Sequence, residues 1–382
     1  MSFLLMRTKS CLLCFLILLA TTSLTYADPK AEAGFLDLRA VDLNNARIPL
    51  QGDWYYFANQ LISPSEIASS GKAFAYFPKI WNENANAESG SGFATYALYI
   101  LVSKETTSLA LEIPQLYSSY SLYANNNLVA VNGKVGTSKE STSPQWMPQT
   151  VSFENTGDTL KLVLQIANFH HYKGGAKDPI YLGSARVLQQ KRSMAVIANL
   201  IESIALGVIS IAFLCIYFFW AQKKVIIYFA LLCLTWAVRV GFSNLYIFIS
   251  FWPDFNWTIM VRIEYMTLFL TMIWGILFLR RVFPKEQNTI FTYLLVLSNI
   301  VFLAYAIFAT PVAFTHWLTV YLAFCGILLM YAIFVVLWGW INQRTGANFL
   351  AASILLGTAI FGYDVFSYKG YFYYNPIIFS VG

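Results

Sequence analysis

Residues 195–220, "AVIANLIESIALGVISIAFLCIYFFW", form 26 consecutive positions with a single charge, Glu202. At ~1.5 Å per residue such a run covers the ~30 Å hydrocarbon core of a bilayer, so it reads as a membrane-spanning helix. Chain of a different kind lies on either side of it. Further apolar runs of spanning length follow at 225–250, 257–279, 289–310, 313–341 and 347–368, which makes six complete helices. The last stretch, "YFYYNPIIFSVG", reads as the start of a seventh, truncated within it. The whole chain of 382 residues is 58% hydrophobic and only 12% charged, outside the range of an ordinary soluble domain.

Upstream the period changes from helical to alternating. In "TLKLVLQIANF" (159–169), Leu160, Leu162, Leu164 and Ile166 share one face and Lys161 and Gln165 the other, the mark of a half-buried strand. "YSLYANNNLVAVNG" (120–133) reads as a hairpin turning on Asn125 to Asn127, because Asn tolerates the left-handed backbone of tight turns. Residues 28–190 therefore form an all-β domain. Before them, Arg7 and Lys9, the apolar core "CLLCFLILLA" and the small-residue site "TYA" have the order of a secretory signal peptide over 1–27.

Charge supports this organisation. From Asp28 to Arg192 the chain holds 14 acidic and 14 basic residues, and the remainder carries the whole net charge of +6. Lys223, Lys224, Arg280, Arg281, Lys285 and Arg344 all fall in alternate loops, as expected of the cytoplasmic side. Lys191 and Arg192, just before the first span, are the exception. Basicity here reports topology and not nucleic-acid binding.

Within the spans stand five ionisable residues, Glu202, Arg239, Arg262, Glu264 and Asp364. Each costs roughly 2.5–3.5 kcal/mol at a helix centre if unpaired. All five fall in the outer half of the bundle and are expected to form a polar network; static helix contacts and snorkelling are the plainer alternative.

The order of parts resembles the bacterial seven-transmembrane receptors with diverse intracellular signalling modules. The blocks that carry the resemblance are "LQGDWYYFANQLISP" (50–64), "GFATYALYI" (92–100), "LYANNNLVAVNGKVG" (122–136), "ANFHHYKGG" (167–175), "PIYLGS" (179–184), "RIEYMTLFL" (262–270) and "LRRVFP" (279–284). The resemblance implies a periplasmic jelly-roll, galactose-binding-like domain over 28–190, followed by a seven-transmembrane domain over 191–382. It implies a carbohydrate or related small ligand outside and a cytoplasmic signalling effector inside. Family members carry such an effector after the seventh helix; here none follows, so the chain is expected to be a fragment of a longer receptor, with a separate partner as the other explanation.

Ligand contacts are then expected from aromatics that stack on sugar faces, Trp54, Trp81, Tyr120 and Trp146, and from polar groups that match hydroxyls, Asn168, His170 and His171. By strand parity Asn168 and His170 point to the core side and His171 away if the strand continues straight; a bulge at its end would reverse this. An architectural role, or docking on the outer membrane loops, is weighed beside ligand contact. No cofactor is expected: a closed zinc site needs four ligands, and the β domain offers two histidines, with His316 in a membrane loop remote in sequence. No catalytic residue is assigned, because Glu112, Glu140 and Glu154 have no motif-like spacing and no phosphate-binding signature occurs. The expected partners are the small periplasmic ligand, the lipid bilayer of the bacterial inner membrane and the effector, with no nucleic acid; a homodimer stays open. The rival reading is a transporter using the intramembrane charges as a path.

Overall fold

The computed structural model describes residues 29–67, 73–82, 90–103, 108–155 and 157–368. The proposed signal segment and the residues after 368 lie outside these, as do the side chains of Thr358 and residues 360–368, Asp364 among them.

The N-terminal part is a sandwich of two sheets. One runs in the order β4 (Ala73–Phe77), β3 (Gly52–Ala58), β5 (Gly92–Leu101), β11 (Thr159–Asn168), β8 (Ser119–Ala124), β9 (Asn127–Asn132), with β1 (Phe35–Asp37) parallel to the far end of β5. The other runs β10 (Gln149–Glu154), β6 (Ser108–Ile113), β13 (Ile180–Ser184), β2 (Arg47–Leu50), and a short ribbon pairs β12 (Gly175–Ala176) with β7 (Leu116–Tyr117). The alternation in β11 does what the sequence implies: Leu160, Leu162, Leu164 and Ile166 are buried between the sheets with Trp54, Tyr96, Tyr120 and Leu182. The opposite face of β11 is covered too, because Lys161 and Gln165 hydrogen-bond to the carbonyls of Pro64 and Ile62. Asn125 and Asn126 form the two-residue turn between β8 and β9, both with positive φ (48° and 73°), as the hairpin reading requires.

β13 passes directly into α1 (Ala185–Phe219), with Ser184 as N-cap accepting from the Val187 amide. The helix begins inside the expected sandwich domain, and the division at 190/191 falls in its second turn. Leu188 is fully buried, and Gln189 donates to the Thr150 carbonyl, so the first turns of α1 are fixed to the sandwich. At 35 residues, about 52 Å, α1 exceeds the bilayer core and carries this fixed end straight into the membrane.

The remaining helices are α2 (Lys224–Gly241), α3 (Ile247–Phe251), α4 (Trp257–Val282), α5 (Thr289–Phe308), α6 (Pro311–His316), α7 (Leu318–Ile341) and α8 (Ala347–Tyr368). Five of them, α1, α2, α4, α5 and α7, are long and apolar enough to cross a membrane, and α8 occupies the sixth expected span. Two boundaries differ from the sequence reading. The span expected over 225–250 ends at Gly241, whose α-carbon lies so close to the Phe248 ring that a β-carbon would approach it to 2.3 Å; the chain then turns through left-handed Asn244 and Tyr246 into α3. The span expected over 313–341 breaks at Trp317. Hydropathy alone conceals both breaks, because Ser243 and Asn244 are too few among apolar and aromatic neighbours to interrupt the first run, and Trp317 is itself aromatic.

Candidate functional site

The strand containing "IANFHHYKGG" ends at Asn168, and the chain leaves the sheet there. Parity consequently fails beyond that point: His171 is the buried histidine, 3% exposed, and His170 is half-buried. Asn168 is wholly buried and organises the turn. Its Nδ2 lies 2.7 Å from the Gly90 carbonyl, 2.8 Å from that of His171 and 3.0 Å from that of Lys173, while its Oδ1 accepts from the His170 and His171 amides. His171 Nδ1 accepts from the Lys173 amide at 3.0 Å, and its ring stacks on Tyr117 with centroids 4.8 Å apart.

The turn so built presses on the outer end of the helical bundle. Trp146 meets His171, Tyr246 and Trp257 at centroid distances of 5.2, 5.9 and 5.3 Å. His170 lies 6.3 Å from the Trp257 ring. Tyr172 donates its amide to Thr315 Oγ1 and packs edge-on against His316 at 4.3 Å. Gln145 Nε2 donates to the Pro253 carbonyl at 2.7 Å. His316, remote in sequence, is therefore brought to the histidine segment by the fold. Sandwich and bundle share one apolar cluster, since Trp146 is buried together with Tyr246, Trp257, Met260, Tyr265 and Phe314.

A polar thread runs through this joint. The Tyr246 hydroxyl lies 3.0 Å from Gln115 Oε1 in the sandwich and 3.2 Å from Glu264 Oε2 in α4. The Glu264 main-chain carbonyl accepts in turn from Arg239 Nη1 at 2.7 Å. One phenolic proton serves two acceptors, so the position of that proton depends on both the sandwich and the bundle. Beside it, Trp146 Nε1, Trp257 Nε1 and His170 Nδ1 are buried without a hydrogen-bond partner among the described residues. Burying such groups unpaired costs free energy, and a joint that carries three of them is not packed to its optimum.

Of the residues singled out from sequence, the fold brings Trp146, Asn168, His170 and His171 together at the joint. It places Trp54, Trp81 and Tyr120 elsewhere, in the sandwich core, with Trp81 Nε1 donating to the Tyr96 hydroxyl. The four membrane charges whose side chains are described do not form one network, and Asp364 lies outside them. Arg239 and Glu264 are neighbours, but Arg262 donates to the Ala306 and Ala309 carbonyls and so completes the C-terminal end of α5, and Glu202 accepts from Trp236 Nε1. No ion pair joins these charges among the described residues. Gln115, Tyr246, Trp257, Thr315 and His316 were not singled out; Tyr246 was hidden inside an expected span.

Burial holds the His171 imidazole well below its ordinary pKa of 6.5, down to about 4, with the Lys173 carbonyl opposing in part. The unfolded chain takes up this proton first as pH falls. The stability contributed by neutral His171 is thus complete above about pH 6.5 and is lost as pH drops toward 4, up to about 3 kcal/mol. Unfolding measured between about pH 7 and about pH 4.5 is expected to show this loss, and a His171→Asn variant is expected to show a flatter profile over the same window.

No curated protein matches the chain. Among solved structures, similar ones include a GH2 beta-galacturonidase from Eisenbergiella tayi bound to galacturonate, at 13% identity and a TM-score of 0.27, covering 38% of this chain and 26% of that one. A beta-glucuronidase from Faecalibacterium prausnitzii is similar at 12% identity and a TM-score of 0.27, covering 37% and 32%. The chain spans about a quarter to a third of the length of these enzymes, and at that score the likeness carries no conclusion about activity. The helical part is matched more specifically: residues 198–382 fit the model of the 7TM diverse intracellular signalling family, so this multi-pass membrane protein carries a transmembrane domain of that family of membrane sensory receptors.

Proposed function

We propose that the sandwich is the sensing end of a receptor in the bacterial inner membrane, that it lies in the periplasm and binds a carbohydrate or related small ligand, and that its movement against the outer loops biases the helices toward a cytoplasmic effector. One observation carries this reading: the sandwich is joined to the bundle both covalently, through α1, and by the aromatic joint with its thread from Gln115 through Tyr246 to Glu264. A ligand shifts a receptor only by preferring one of two arrangements, and a joint with unpartnered indole and imidazole nitrogens has a second arrangement within reach. The orientation is supported by Lys223, Lys224, Arg280, Arg281, Lys285 and Arg344, which lie in loops or in the terminal turns of helices at the end of the bundle away from the sandwich. No catalytic role is assigned. Glu112 is bound by Arg47, and Glu140 and Glu154 stand exposed and apart from it.

The transporter reading is disfavoured by Arg262, whose guanidinium is engaged by carbonyls at a helix end. The two readings are separated with the full chain in nanodiscs and vesicles. A glycan array should yield a binding sugar, and that sugar should change cysteine labelling at the Arg344 end in the wild type but not in Glu264→Gln. Sugar flux into vesicles that Glu264→Gln abolishes, with the labelling change intact, would sink the receptor reading.

A further inference from the structure

A cavity of about 210 Å³ opens beside the joint, between the sandwich, the first turns of α1 and the loop after α2. Its acids are Glu112 and Asp178, its bases Arg47, Lys177, Lys191 and Arg192. Arg47 grips Glu112 at 2.7 and 2.9 Å and lies over the Tyr181 ring, so that pair is satisfied internally. Lys191 and Arg192 make no ion pair among the described residues, although both are half-buried. These are the two residues whose charge runs against the distribution expected for the outer side of the membrane. The acid that both cations feel, Glu112, is already held by Arg47, so two adjacent half-buried cations share one engaged carboxylate; an anion between them lowers that cost. Neutral polar groups complete the wall: Gln115, Asn244 and Thr150, whose Oγ1 is buried without a partner. The volume lies below the ~300–1,000 Å³ of drug-sized sites, which limits the occupant to a small molecule.

We propose that this cavity is an anion site, taking a small molecule with one carboxylate or phosphate group held by Lys191 and Arg192, and with hydroxyls that meet Gln115, Asn244 and Thr150. The proposal names a ligand class for the receptor and rests on that reading only for what binding does to the helices. The site is placed to act on them. Gln115 is both cavity wall and partner of the Tyr246 hydroxyl, and Asn244 sits at left-handed φ, 56°, two residues before left-handed Tyr246. An occupant touching Gln115, Arg192 and Asn244 therefore ties sandwich, α1 and the α2–α3 loop into one arrangement. The same anionic group is carried by free solutes and by acidic lipid headgroups, and both can reach the outer end of α1.

The test uses the full chain in phosphatidylcholine nanodiscs, titrated with inorganic phosphate and with glucuronate, and with chloride at matched ionic strength. The thermal midpoint should rise saturably with phosphate or glucuronate and not with chloride. The double variant Lys191→Gln, Arg192→Gln should raise the half-saturating concentration about ten-fold or more, since it removes two charge-assisted contacts. Gln115→Ala, which leaves both cations and α1 untouched, should raise it a few-fold and keeps the test open if the double variant folds poorly. If phosphatidylglycerol in the nanodiscs raises the wild-type midpoint, spares the double variant and removes the solute response, the lipid headgroup is the anion and the site stands. Equal responses to chloride and phosphate, or unchanged half-saturation in both variants, would overturn the site. Binding that is intact while labelling at the Arg344 end never responds would leave the site standing and count against the receptor reading alone.

Discussion

Replacing Asn168 by Ala is expected to lower the stability of the full-length protein by about 3–5 kcal/mol and to release the segment 168–176 from the bundle. The side chain is wholly buried, and its two amide protons are shared among the carbonyls of Gly90, His171 and Lys173 while its oxygen accepts from two amides of the turn. Alanine leaves these groups without partners in a place water reaches poorly, at a cost of about 1–3 kcal/mol for each that stays unsatisfied. Asn168→Asp separates this cause from simple loss of volume. It keeps the shape but turns a carboxylate toward three carbonyls, so it should be at least as damaging as alanine. Denaturant unfolding followed by the near-ultraviolet signal of the aromatic joint measures both variants. A loss below about 1 kcal/mol in each would show that the Asn168 hydrogen bonds are not what holds the turn.

Tyr246→Phe should do the reverse, sparing the fold and impairing transmission. The ring keeps its packing against Trp146, so stability should fall by only about 1 kcal/mol, the net worth of a hydrogen bond. What disappears is the proton shared between Gln115 in the sandwich and Glu264 in the bundle. A coupling free energy of about 1–3 kcal/mol corresponds to a change of roughly 5–150-fold in ligand response, so the labelling change at the Arg344 end should shrink by about ten-fold at unchanged ligand affinity for the sandwich. Gln115→Leu should reproduce the loss of transmission from the other side of the joint, together with the few-fold weaker binding expected of a cavity-wall residue. A Tyr246→Phe protein that transmits normally would remove the thread from the account and leave α1 and the other contacts of the joint as the routes.

The sequence discloses the two halves of this molecule readily because each has a strong period. The alternation of β11 and the asparagine turn at Asn125 and Asn126 need only local chemistry, and the long apolar runs report spanning helices without knowledge of neighbours. The joint is less legible. Asn168, His170, His171 and Trp146 could be picked out as polar or aromatic groups near a strand end, but Trp257, and the Thr315 and His316 that Tyr172 meets, lie 87 or more residues beyond His170 and announce nothing on their own. Parity misassigned the two histidines because a strand's alternation holds only while the strand continues, and it stops at Asn168. Tyr246 was lost for a related reason: a left-handed turn made of Asn, Leu and Tyr is invisible to hydropathy. Trp54, Trp81 and Tyr120 drew attention as large aromatics, a property that a sandwich core uses as readily as a binding face does.

The central claim is that sandwich and helices form one mechanical unit through the aromatic joint, and hydrogen exchange measured on the full chain in nanodiscs addresses it most directly. Trp257→Ala removes a ring that belongs to the bundle and meets Trp146 and His170 of the sandwich. The claim predicts faster amide exchange across residues 168–176, on the sandwich side, with strands β5 and β11 away from the joint unchanged. Exchange in 168–176 that matches the wild type would mean that the sandwich does not feel the bundle through this contact, and would contradict it.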